Sequence, residues 1–296
     1  MFKTVNPKTL ALELGGKWFR SYGTAPCPCC QPERRRDQNA LTIAEKGGRL
    51  LLNCKKAGCD FRDLLAACGL APGGFEVDHA ALERAKRDRI ETEAKSMRRA
   101  ASIWQQGQPI TGTSGETYLR GRGIVSELPE SLRWLPNTFH QPSGRDCSAM
   151  LAQVQSATGE PMGIHRTFFT KQGERLHQNA KMMLGPCRGG AVRLAQSEGA
   201  LVVAEGIETA LSFACGLLSG PASIWAGLST SGIAGLDLPA DPGKLTIATD
   251  SDDHGAGKAA GNRLAERANA LGWVVSLLPA PNGTDWNDVL RKGVAQ

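Results

Sequence analysis

Long apolar runs are missing from these 296 residues. No stretch approaches the roughly 20 apolar residues that a membrane span needs. The opening MFKTVNPKTLALELGGKW lacks the basic-then-apolar order of a signal peptide. The expected compartment is therefore the cytoplasm, with no membrane partner. Internal repeats and low-complexity tracts are absent too. The five histidines (His79, His140, His165, His177, His254) show no paired ligand spacing. Gly255-Ala-Gly257-Lys258 fails as a phosphate-binding loop, because that loop needs Gly-x4-Gly-Lys-Ser/Thr, and here position 252 is Asp and position 259 is Ala. No ATPase motor is visible.

What is present is unevenly distributed. The net charge is +6. Residues 1–110 hold 19 Lys/Arg against 12 Asp/Glu, whereas residues 195–296 hold 6 against 11. A basic front suits a polyanionic partner and an acidic rear suits cations. Nine cysteines are many for a reducing compartment, where clustered thiols point to metal rather than to disulfides. Five of them lie between Cys27 and Cys59. The other four (Cys68, Cys147, Cys187, Cys215) are scattered and read as small apolar packing residues.

Cys27 and Cys30 form a Cys-x2-Cys knuckle, and Cys54 and Cys59 form a Cys-x4-Cys pair 23 residues further on. Four thiolates at about 2.3 Å satisfy a tetrahedral zinc ion and leave no open position, so this zinc is structural. Cys29 stands as an alternative to Cys27 or Cys30. NALTIA and RLLLN read as a hairpin turned at EKGG, completing a zinc ribbon. Basic and aromatic residues surround it, among them Lys17, Trp18, Phe19, Arg20, Tyr22, Arg34, Arg35, Arg36, Lys55 and Lys56. Trp18, Arg20, Arg35 and Lys55 are the candidates for gripping single-stranded nucleic acid by stacking and phosphate contact. The plainer alternative has Trp18 and Phe19 filling the ribbon's small core.

Four segments follow: a ribbon over 1–72, a helical linker over 73–107, a basic α+β region over 108–196, and an α/β domain over 197–296. EVDHAALERAKRDRIETEAKSMRRAASIWQQ, from residue 76, contains neither Gly nor Pro and predicts one long helix. Its apolar stripe is expected at Val77, Ala81, Ala85, Met97, Ala101 and Trp104. MLAQVQS, PMGIHRTFFT and AVRL predict strands. After residue 197, strands (LVVAE, SIWAG, KLTIATD, WVVSLLP) alternate with helices (IETALSFACGLL, GKAAGNRLAERANALG, DWNDVLRKG), implying βαβ units and a mainly parallel sheet.

Acids stand at the strand ends: Glu205 after LVVA, Asp250 and Asp252 after KLTIAT, Asp285 and Asp288 after the last strand. In an open parallel sheet the ligand site lies beyond the carboxyl ends. Converging carboxylates need cations, and hard oxygen ligands suit Mg²⁺ or Mn²⁺. Asp252 or Asp285 can alternatively be a helix cap.

The pattern Val-Ala-Glu205-Gly206-Ile-Glu208-Thr-Ala, then Ile-Ala-Thr-Asp250-Ser-Asp252, then Gly257-Lys258-Ala-Ala, resembles the Toprim domain, a fold shared by bacterial and phage primases, type IA and type II topoisomerases and some nucleases. The resemblance covers about 100 residues. It implies metal-binding catalytic roles for Glu205, Asp250 and Asp252, and places Asp285-Trp-Asn-Asp288 on the later acidic motif of primases. The stretch Asp253-His254 before Gly257 departs from shorter relatives and leaves Asp253 without a role. Upstream, GETYLRGRGI with Arg120 and Arg122 resembles a segment of plasmid and phage primases. So do HRTFF, Lys181-Met-Met-Leu-Gly185 and Gly189-Gly190-Ala-Val-Arg193-Leu. Arg166, Lys181, Arg193 and Lys258 are the corresponding candidates for template and nucleotide contact.

The resemblance implies a DNA primase: a ribbon reading single-stranded template, and magnesium aligning a nucleoside triphosphate with a 3′ hydroxyl. A separate helicase and a phage, plasmid or integrated element are the expected setting. A topoisomerase needs a nucleophilic tyrosine on a large gate domain, and the chain has just Tyr22 and Tyr118. A metal-dependent nuclease and a non-catalytic DNA-binding adaptor remain as alternatives.

Overall fold

The structure is a computed structural model. It describes residues 3–35, 37–46, 49–70, 75–77, 79–218, 220–251 and 255–294. The chain divides into two compact units, residues 1–91 and 92–296.

The first unit begins with β1 (Lys3–Val5) and α1 (Pro7–Glu13). Asn6 caps α1 by accepting from the backbone N–H groups of Lys8 and Thr9, with Pro7 pre-set for the first turn. Then come β2 (Lys17–Trp18), β3 (Tyr22–Ala25), β4 (Leu41–Lys46) and β5 (Arg49–Cys54), an antiparallel sheet in the order β2-β3-β4-β5. Leu41 pairs with Cys54 and Lys46 with Arg49, so β4 and β5 are the hairpin expected from NALTIA and RLLLN. Its turn, Gly47-Gly48, lies outside the described residues. α2 (Phe61–Ala67), capped by Asp60, completes the ribbon's core with Leu64 and Leu65 beside Leu10, Ala11, Leu41 and Ile43. α1 can lie on β3 because position 23 is glycine: a Cβ there would sit 2.6 Å from that of Ala11.

The long helix starts later than the sequence suggests. Phe75–Val77 is β6, paired in parallel with β1, and α3 runs from His79 to Gln106. The tertiary pairing claims residues whose composition alone reads as helical. The expected stripe also moves. Of its residues, Trp104 is half-buried and Ala85, Met97 and Ala101 are exposed, and the side chains of Val77 and Ala81 lie outside the described residues; Ala100 is buried and Ser96 and Ile103 are half-buried. Residues 83–92 are exposed on every side, so the first half of α3 has no buried face among the described residues.

The second unit is one ten-stranded sheet. It contains β7 (Gln108–Pro109), β8 (Leu132–His140), β9 (Arg145–Gln155), β10 (Pro161–Phe169), β11 (Lys181–Leu184) and β12 (Ala191–Ala195), with α4 (Ser114–Gly121) between β7 and β8. The remaining strands are β13 (Ala200–Ala204), β14 (Ala222–Ala226), β15 (Lys244–Thr249) and β16 (Val274–Pro279). The helices among and after them are α5 (Ile207–Ser212), α6 (Thr230–Ala234), α7 (Ala256–Ala270) and α8 (Trp286–Val294). Strand β9 is the junction: one edge takes β10, and the other takes β8 along residues 145–152 and β12 at 154–155. β12 continues antiparallel onto β14, and from there β14, β13, β15 and β16 run parallel. The α+β region and the parallel region thus share one backbone ladder. The helix read from IETALSFACGLL is regular to Ser212 and then widens, because Cys215 and Gly216 leave helical geometry.

Candidate functional site

In the ribbon, the sulfurs of Cys27, Cys30, Cys54 and Cys59 all lie within 4.8 Å of one another. Cys27 and Cys59 are 3.8 Å apart and Cys30 and Cys54 3.5 Å. A tetrahedron with metal–sulfur bonds of about 2.3 Å has edges of about 3.8 Å, so the cluster is compatible with a structural zinc. Cys29 is exposed and outside the group. Burial pushes the Cys30 and Cys59 thiols up to about 12 and about 11; hydrogen bonds with neighbouring sulfurs add to the shift at Cys30, whereas at Cys59 those with Cys54 and Cys27 raise it and that with Cys30 lowers it. Burial acts on Cys54 too, but backbone N–H groups of Ala57, Cys59 and Lys56 overcome it and hold the thiol at about 6. Four thiols so close ionise together when a cation compensates them. The buried Gln31 side chain ties the knuckle to β4, its Oε1 accepting from the N–H groups of Cys27 (3.1 Å) and Ala40 (3.0 Å).

Around the ribbon, Trp18 is half-buried and packs on the core. Phe19 and Tyr22 are exposed and stacked, ring centroids 5.1 Å apart. Phe61, on α2, is exposed as well. Arg20, Arg35 and Lys55 are exposed, and Arg35 lies 3.7 Å from Asp37.

In the second unit the acids arrive by register. Ala204 lies beside Ala248, so Glu205 and Asp250 leave adjacent parallel strands at the same end. Asp285 comes from the loop after β16. Its Oδ1 accepts from the N–H of Asp288, capping α8, and its Oδ2 is 3.6 Å from Arg122. Glu205, Asp250 and Asp285 line one cleft of about 420 Å³ together with Glu208 and the cations Arg122, Arg175 and Lys181. Burial pushes the Asp250 carboxyl up to about 7, and the nearby Asp285 and Glu205 add to the shift. Its Oδ1 is buried without a hydrogen-bond partner. That oxygen has no donor of its own, and a hard divalent cation fits it.

Glu208, which the sequence reading quoted but gave no role, is buried at 6% exposure. It accepts from Tyr118 Oη (2.9 Å) and from Lys181 Nζ (3.2 Å). Burial pushes this carboxyl up, but Lys181, the backbone and Tyr118 more than offset that and hold it at about 2. Burial next to Glu208 in turn raises the Tyr118 phenol. Phe169 backs Tyr118 edge-on at 5.2 Å. Beside Lys181, on the same face of the sheet, His165 is buried and held neutral, its pKa lowered to about 4 by burial and by the lysine. Leu228 closes one wall with φ 71°, an unusual value for leucine, its N–H donating 2.7 Å to Glu205 O.

Several expected contacts fall elsewhere. Arg166 alternates with His165 and Thr167 along β10 and therefore faces away from Lys181, packing 5.3 Å over Phe168. Arg193 donates to the carbonyls of Ser156 and Ala157 and stacks on Trp225. Arg120 is held by Glu116 and by the carbonyls of Ile124 and Ser126. Asp288 is not among the cleft-lining residues, and Lys258 lines a neighbouring cavity. Asp252, Asp253 and His254 lie outside the described residues, as does Arg36. Arg175 was missed: it stands in a polar loop with no motif to mark it.

Residues 94–194 match a domain of unknown function, DUF7146, and residues 200–295 match the Toprim domain. No curated protein matches the chain. Solved structures that align with it include a DNA primase domain from Pseudomonas aeruginosa, at 14% identity, covering 67% of this chain and 74% of that one, TM-score 0.42. Another is the zinc-binding and RNA polymerase domains of the Aquifex aeolicus primase, at 14% identity, covering 96% and 79%, TM-score 0.41. A third is the RNA polymerase domain of Mycobacterium tuberculosis primase DnaG, at 15% identity, covering 70% and 84%, TM-score 0.37. Residues 200–295 are a Toprim domain, built on a mixed sheet with parallel strands and preceded by a helical region and an N-terminal cysteine cluster that resembles a zinc ribbon.

Proposed function

We propose that this chain is a DNA primase, a nucleotidyltransferase that builds short RNA primers on single-stranded DNA. The observation that carries the reading is the cleft in which Glu205, Asp250 and Asp285 stand opposite Arg122, Arg175 and Lys181. Acids that want divalent cations beside cations that want phosphate match a metal-bound triphosphate. Glu205 and Asp250 would hold Mg²⁺ or Mn²⁺, which when bound activates an attacking hydroxyl and stabilises departing pyrophosphate. Arg122, Arg175 and Lys181 bind and orient the phosphates. Glu208 and Tyr118 keep Lys181 in place from below. The ribbon, with its exposed Phe19–Tyr22 pair and basic neighbours, holds the template strand.

The test combines single-stranded DNA, Mg²⁺ and ribonucleotides, comparing the wild type with Asp250→Ala. Short oligoribonucleotides, reduced at least about 100-fold in the variant, are expected. Cleaved template would instead support the nuclease reading, and DNA binding without product the adaptor.

A further inference from the structure

Asp250 lines a second cavity, of about 490 Å³, which shares no other residue with the acid–cation cleft. That volume falls in the range of small-ligand sites. Its walls are fixed by close packing. Gly257 and Gly261, one turn apart on α7, let the helix lie against the end of β15: a Cβ at 257 would stand 2.7 Å from Asp250 O, and one at 261 would stand 2.6 Å from Thr249 Cγ2. Lys258 and Asn262, offset by one residue and also one turn apart, thereby line the cavity. Opposite them are Leu277, Pro279 and Ala280. The loops forming the floor are tied by Ser251 Oγ donating to Ala280 O (2.6 Å), Ser251 N–H to Thr284 O (3.1 Å) and Ala280 N–H to Thr249 O (2.9 Å).

An apolar wall, two amides (Asn262 and Asn282) and one cation, next to a triphosphate-type cleft, match the parts of a nucleotide. We infer that this cavity is a base-binding subsite for a nucleoside triphosphate whose phosphates extend past Asp250 toward the cleft. Leu277 and Pro279 cover a face of the base. The amide of Asn262 offers a donor and an acceptor together, the pair that matches the N6/N7 edge of adenine. Lys258 stands at the phosphate side. The inference rests on the proposed nucleotidyl-transfer reading and adds a location and a base preference to it.

The probe is ATP with Mg²⁺ and no template, on the full chain. Photolabelling with 8-azido-ATP is expected to mark peptides from residues 255–283, and Asn262→Leu is expected to weaken ATP binding about tenfold while keeping the wild-type melting temperature. Inorganic triphosphate is expected to bind more weakly than ATP. Label confined to peptides carrying Tyr118, Arg122 or Lys181, unchanged ATP affinity in Asn262→Leu, or triphosphate binding as tightly as ATP would each overturn the subsite. If primer synthesis persists in that case, the functional reading stands without it. Absence of any ATP binding by the wild type overturns both.

Discussion

The ribbon draws its four sulfurs from 33 consecutive residues, Cys27 to Cys59, whereas the cleft gathers Glu205, Asp250 and Asp285 from a span of 81. The first cluster is built by two tight turns and a hairpin, and each sulfur is held by its own neighbours in the chain. The second exists because parallel strands β13 and β15 end in register. The two sites also differ in charge compensation. The sulfurs form a closed set of one ligand type, with no room for substrate. The acids share their cleft with arginines and a lysine, and Asp250 still keeps an unpartnered oxygen. A closed set suits structure, and an open, under-compensated one suits exchange of ions and substrate.

Four measurements bear on that contrast. The largest effect belongs to the ribbon. Cys54→Ser, or zinc removal by chelator, should unfold residues 27–59, since metal binding contributes on the order of 10 kcal/mol to small zinc domains. Loss of amide-exchange protection in the ribbon, with the ten-stranded sheet still protected, is the expected pattern. Equal loss in both units would remove the distinction.

Next is Lys181→Met. It strands the buried Glu208 carboxylate, a change that costs about 3–5 kcal/mol. Denaturant titration of this variant should show that loss at pH 7, and much of it should be absent near pH 3. Glu208 is held below its unfolded value of 4.5, so the stabilisation is present above that value and fades as pH falls toward about 2. A pH-independent difference would argue against the ion pair.

Asp250→Asn should act in the opposite direction on stability. Its folded pKa, about 7, exceeds the ordinary 3.8, so the folded state keeps a proton that the unfolded chain has released. Metal-free wild type therefore loses stability as pH rises from about 4 to 7. The variant should be more stable at pH 8 without metal, by up to about 4 kcal/mol, and should lose the gain that Mg²⁺ confers on wild type in thermal scans.

The smallest effect is Gln31→Ala, which leaves two backbone N–H groups of the ribbon unsatisfied and should cost about 1–3 kcal/mol. Its readout is zinc affinity. Unchanged affinity would show that the knuckle holds itself.

Legibility followed the range of the interactions. Cys27, Cys30, Cys54 and Cys59 were readable because short spacings are local geometry, and the structure brings them together. The strands of residues 199–279 were readable from apolar runs bounded by glycine and by acids. The buried face of α3 was not, because which side of a polar helix is covered depends on what lies against it. Arg166 and Lys181 looked alike as basic residues near a motif, yet strand alternation and register put them on opposite faces. Arg120 and Arg193 looked available, yet Arg120 is tied to Glu116 and to two nearby carbonyls, and Nη2 of Arg193 donates to the carbonyls of Ser156 and Ala157.

Residue type and spacing alone determined the thiol cluster, the alternation of strand and helix, and the presence of acids at strand ends, since these depend on neighbours within a few residues. Tertiary structure decided which acids and cations share a cleft, that Glu208 lies buried beneath Lys181, and that both halves of residues 92–296 join in one sheet. The reason is physical: burial, hydrogen-bond partners and electrostatic neighbours come from segments far apart in the chain, and no local pattern encodes their meeting.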